Sequence, residues 1–73
     1  MKLCDAKAGS SGTITFIEGD TRFLSRITSM GLTEGCKIVI MKNEKSQPLL
    51  LLGRDSLIAV NRKDCERIEV KEA

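Results

Sequence analysis

Residues 17–40, I-E-G-D-T-R-F-L-S-R-I-T-S-M-G-L-T-E-G-C-K-I-V-I, constrain the fold more than any other part of the chain. They set out the end of a strand, a short amphipathic helix, a glycine stop, a glycine turn and the start of a new strand. Asp20 is placed to accept hydrogen bonds from the free N–H groups of the first helical turn. Phe23, Leu24, Ile27 and Met30 follow at the i, i+1, i+4, i+7 spacing of one helix face, with Arg22, Ser25, Arg26 and Ser29 mostly on the other. Gly31 comes straight after the last apolar position. A residue of positive φ closes a helix there, and Leu32 can fold back on the last turn. Gly31 is therefore expected to tolerate a β-branched replacement far less well than Gly9, and Phe23 and Ile27 are expected in the core.

The remaining elements are short. Residues 3–8 lead into the Gly9-Ser10-Ser11-Gly12 turn, and residues 13–17 form the first firm strand. Thr33-Glu34-Gly35 turns the chain into a β-branched run over 36–42. Asn43-Glu44-Lys45-Ser46-Gln47 makes a polar hairpin loop, and Pro48 opens a strand over 49–52. Gly53-Arg54-Asp55 leads to a strand over 57–60, Asn61-Arg62-Lys63-Asp64 to a helical turn, and 68–70 to a last strand. The expectation is a single domain over 1–73, mainly β. Five strands, with one helix after the first, form a strongly bent sheet closing into a small barrel. The four successive leucines at 49–52 alternate faces, so two point away from the core unless the helix or a partner covers that side.

Seventy-three residues bury only about 60% of their unfolded surface. No disulfide framework compensates. Cys4, Cys36 and Cys65 are odd in number and far apart, no C-x-x-C occurs, and there is no histidine to complete a zinc site. They read as packed thiols of a reducing cytosol, with no metal site and no cofactor, and without sub-micromolar ferrous iron or zinc binding by the reduced monomer. Without histidine, general acid–base work would fall to carboxylates, yet Asp20 serves as a cap and the others sit in turns or near the end of the chain. Gly31–Lys37 lacks phosphate-loop spacing. The chain is not read as an enzyme.

Twelve basic and ten acidic residues give a net charge of +2 with interleaved signs. Two phenylalanines are the only aromatic residues. A nucleic-acid binder would show a one-sign stripe with stacking residues, so none is expected as partner. Residues 1–5 carry no apolar signal core and 49–52 is too short to span a bilayer, which points to the cytoplasm.

The pattern G-x-x-G-T-I-x-x-I-x-G-D over 9–20, then L-S-R-I-T-S-M-G-L-T-E-G-C-K-I over 24–38, resembles the FeoA family, accessory proteins of bacterial ferrous iron uptake. The likeness continues through Pro48-Leu49, R-D-S-L-I-A-V over 54–60 and D-C-E-R-I-E-V over 64–70. Its most specific part is M-G-L-x-x-G at 30–35, with Arg26 four residues upstream. Glu34, where the family often has proline, and Ser46-Gln47, in place of a common G-D, alter turns. Cys65, at a position usually filled by alanine, is a small apolar exchange. The resemblance implies an SH3-like β-barrel and a cytosolic role. The implied partner is a FeoB-like membrane ferrous iron transporter with a GTP-binding domain, so contact with the membrane comes only through that partner. The same barrel recurs as the C-terminal domain of DtxR-type iron-dependent repressors, which gives the alternative of a regulatory or interaction domain. A chain that opens at Met1 with no DNA-binding helices before it favours the accessory protein, as a monomer or weak homo-oligomer. Arg22 and Arg26 share a helix face, and Met30 and Leu32 bring apolar surface to its end. These four are the expected partner-binding residues.

Overall fold

The computed structural model describes residues 1–73. A 3-10 turn at Leu3–Asp5 precedes β1 (Ser11–Ile17), α1 (Thr21–Ser29), β2 (Lys37–Lys42), β3 (Leu49–Gly53), β4 (Ser56–Val60), α2 (Arg62–Cys65) and β5 (Ile68–Glu72). The five strands form one antiparallel sheet in the order β4-β3-β2-β1-β5. Irregular register between Ile14 and Phe16 in β1, and between Ile40 and Lys42 in β2, marks the bulges that bend it.

The expected closure into a barrel is not made by hydrogen bonds. β4 has only β3 as neighbour. β5 pairs with β1, and its other edge is covered by the start of the chain: Val70 N–H donates to the Met1 carbonyl at 2.8 Å and Lys2 bridges to Glu69. From β4 to β5 the chain passes through α2 instead of a closing ladder. Asn61 caps α2, its side-chain oxygen accepting from the Lys63 N–H at 3.3 Å.

The sequence reading of α1 holds in detail. Asp20 Oδ1 accepts from the Phe23 N–H at 2.8 Å, and Phe23 and Ile27 are the buried helix residues. Gly31 has φ +98°, its N–H donating to Thr28 O at 2.9 Å while the Leu32 N–H donates to Ile27 O at 3.2 Å. This paired closure is the Schellman arrangement, which swings the residue after the glycine back over the last turn. The expected contrast with Gly9 fails. Gly9 itself has φ +89°, so both glycines occupy the region that disfavours a side chain.

One cluster of seventeen buried residues forms the core. The inward positions of the strands, Ile14 and Ile17, Ile38 and Ile40, Leu49 and Leu51, Ile58 and Val60, Ile68 and Val70, meet Phe23, Ile27 and Leu32 from the helix side. Strand ends at Ser11, Gly53, Ser56 and Glu72 extend past the expected boundaries because pairing with a neighbour decides them. Asn43, expected only as a loop residue, ties three segments together. Its Nδ2 donates to Cys4 O at 3.0 Å and Ala6 O at 2.6 Å, and its Oδ1 accepts from Arg62 Nη1 at 2.6 Å.

Candidate partner-docking surface

The four residues expected at the docking edge are placed very differently. Arg22 is exposed and unengaged by any ion pair. Arg26 forms a two-pronged ion pair with Asp64, Nη1 to Oδ2 at 3.0 Å and Nη2 to Oδ1 at 3.4 Å. Its guanidinium also lies 5.3 Å from the centre of the Phe23 ring, with that of Arg67 at 5.0 Å. The hydrogen bond and charge of Asp64 raise the Arg26 pKa further above its already high range. Asp64 is the one buried charged residue, so Arg26 joins α1 to α2 and is not a free rim charge. Met30, the C-cap, is half-buried against the core.

Leu32 has no exposed surface, which removes it from the docking edge. The Schellman closure at Gly31 turns it inward. The apolar residue that α1 does expose is Leu24, at 37%, bordered by Thr21, Ser25 and Thr28.

The sheet answers the question left by the leucines. Leu49 and Leu51 are fully buried, Leu50 is half-buried and Leu52 is 39% exposed, because α1 packs on the inner side and leaves the outer face bare. Pairing sets Val39 opposite Leu52 and Leu52 opposite Leu57, so three exposed apolar side chains stand in one row across β2, β3 and β4. Met41, at the β2 bulge, lies at the margin of the row. Alternation beside Ile38 and Ile40 marks Val39 as outward facing, a signal present in the sequence. The register that aligns it with Leu52 and Leu57 is not.

The thiols pack as expected. Cys36 is 5% and Cys65 0% exposed, and Cys4 is half-buried. Burial pushes the Cys65 thiol up to about 11 from its ordinary 9.0, with the Arg62 charge pulling the other way. No three cysteine, aspartate or glutamate side chains are grouped so that they could hold a metal ion. No helix is long and apolar enough to cross a membrane.

A bent five-stranded sheet and a capped helix between its first two strands define a small, mainly β domain, with apolar side chains presented outward on both. The chain belongs to the FeoA domain family, whose model matches residues 1–72. A crystal structure of an iron uptake regulatory protein, FeoA, is 22% identical and superimposes with a TM-score of 0.95, covering 100% of this chain and 97% of that one. The zinc complex of FeoA from Stenotrophomonas maltophilia, a prokaryotic SH3-domain protein, is 16% identical over 97% of this chain and 89% of its own, with a TM-score of 0.80. A manganese-dependent transcriptional repressor is 15% identical at a TM-score of 0.91, matched over 100% of this chain but 41% of its own length. At these identities the likeness is one of fold. No curated protein matches the chain in sequence.

Proposed function

We propose that this protein is a non-enzymatic, cytoplasmic accessory factor of ferrous iron uptake that binds the cytosolic part of a FeoB-type transporter and modulates its assembly or activity. The observation that carries the reading is the family match over residues 1–72. It is supported by the near end-to-end superposition on an iron uptake regulatory protein. The docking edge proposed for the transporter is the outer side of α1, with Arg22 and Leu24 as contacts and Met30 at the helix end. Arg26, held by Asp64, ties α1 to α2 beneath this edge, and Leu32, wholly buried, is not part of it. An apolar centre with an arginine rim is the composition of an interface core.

A second reading is a regulatory domain of the DtxR type, favoured by the repressor that matches this whole chain within 41% of its own length. Capture separates the two. Tagged protein incubated with detergent-solubilised membranes of the source cell should retain the ferrous iron transporter, identified by mass spectrometry, and Arg22→Glu should reduce that retention. Retention of operator DNA with no transporter would replace the first reading by the second.

A further inference from the structure

We propose that β4 is a self-association edge, at which two copies of this chain pair antiparallel about a two-fold axis at Leu57. This inference does not depend on the transporter reading.

Four observations carry it. First, β4 is the uncovered edge of the sheet. The outer edge of β5 is occupied by Met1 and Lys2, whereas β4 has β3 on one side and nothing on the other. Second, the β3–β4 connection is the two-residue turn Arg54-Asp55, with φ of 49° and 65°, flanked by the Gly53–Ser56 pair. In such a hairpin the flanking pair exchanges hydrogen bonds, and so do Ile58 with Leu51 and Val60 with Leu49. The N–H and C=O groups of Leu57 and Ala59 therefore point away from β3, along the free edge. Third, β4 reads S-L-I-A-V. It has no charge, proline or bulge of the kind that keeps edge strands apart.

The fourth observation selects the occupant. Leu57 is 63% exposed, the most exposed of the large apolar residues, and it ends the row Val39, Leu52, Leu57. If Leu57 pairs with Leu57 of a second copy, each donates one N–H to the other's carbonyl. Directly opposed residues share a face, so the row runs on unbroken through the second copy's Leu57, Leu52 and Val39. The same register opposes Ser56 to Ile58, while the Arg54-Asp55 turn, whose positive φ takes it out of the strand, lies beside the second copy's Ala59 and Val60, with no like charges facing. The chain's own β4 thus supplies the extended backbone, the leucine and the neutral flanks that this edge requires. A five-residue edge with three apolar side chains per copy falls short of the roughly 800 Å² per partner of stable complexes, so the dimer is weak and concentration-dependent.

Translational diffusion measured by NMR over a dilution series tests the association, and directed cross-linking tests the register. The protein should diffuse more slowly as concentration rises. Leu57→Lys, which places two ammonium groups on the axis, should weaken that association about tenfold or more while leaving the circular dichroism spectrum unchanged. In a Cys4→Ser background, Leu57→Cys oxidised with diamide should form a disulfide dimer, since opposed residues of a hydrogen-bonded pair lie about 5.5 Å apart, within disulfide reach. Leu52→Cys should not. Monomeric diffusion at every concentration would overturn the proposal. So would association that survives Leu57→Lys, or equal cross-linking at positions 52 and 57. Loss of transporter capture in Leu57→Lys, without any self-association of the parent, would assign the edge to the transporter instead.

Discussion

Asn43 offers the sharpest test of how this small domain is held together. Its amide orientation is fixed by its partners: two carbonyls, of Cys4 and Ala6, require the Nδ2 donors, and the Arg62 guanidinium requires the Oδ1 acceptor. Truncation in Asn43→Ala removes all three bonds. Arg62 is half-buried beside an open polar cleft and recovers water, so little is lost there. Ala6 is 5% exposed, and its carbonyl loses its donor in a place that water reaches poorly. An unsatisfied buried acceptor costs about 1–3 kcal/mol, and the lost bond to half-buried Cys4 adds about 0.5–1.5 kcal/mol. The expected destabilisation is about 1.5–4.5 kcal/mol. For a domain of this size each kcal/mol lowers Tm by about 4–8 °C, so a fall of about 6 °C or more should appear in a thermal melt followed by circular dichroism. Asn43→Asp, which keeps the acceptor for Arg62 but sets a carboxylate against two carbonyls, should fall at least as far. A Tm for Asn43→Ala within about 2 °C of the parent would refute the reasoning, since the hub would then be making bonds that water makes equally well.

Other outcomes follow from the same packing. Phe23→Ala should cost about 3–5 kcal/mol in urea denaturation, enough to unfold much of the population. Gly31→Ala should cost about 1–2 kcal/mol from its positive φ alone, because a Cβ there meets nothing closer than Ile58 Cδ1 at 3.9 Å; an unchanged urea midpoint would contradict it. Cys65 binds its proton more tightly when folded, about 11 against 9.0. Its contribution is whole below pH 9 and declines as pH rises toward 11, where the unfolded thiolate is favoured. Cys65→Ala should flatten that decline in chemical denaturation measured across the interval. If the slope is the same in both proteins, another group is responsible.

The parts of this fold that were legible in the sequence are those that local chemistry decides. The Asp20 cap, the Phe23 and Ile27 face and the positive φ of Gly31 each depend on residues within one or two helical turns. The existence and order of five strands could be read from β-branched runs between turn residues. Their ends could not, because Gly53 and Ser56 are strand residues only through each other. Barrel closure failed as an expectation because it turns on whether β4 meets β5, a contact between non-adjacent edges that no local pattern encodes. The docking edge was the least legible. Arg26 looks like a solvent-facing helix arginine until Asp64, 38 residues on, is seen against it. Leu32 looks available until the Schellman closure, whose hydrogen bonds follow from Gly31 itself, carries it inward. The outer row was half visible, as surplus leucines without their register.

The central claim is that this protein serves ferrous iron uptake through contact with the transporter, and uptake itself is the direct measure. Anaerobic accumulation of radiolabelled ferrous iron should fall in cells lacking the protein. Expression of the parent chain should restore it, and expression of Arg22→Glu at equal abundance should restore it incompletely. Uptake that is the same with and without the protein, under iron limitation and with the transporter present, would contradict the account.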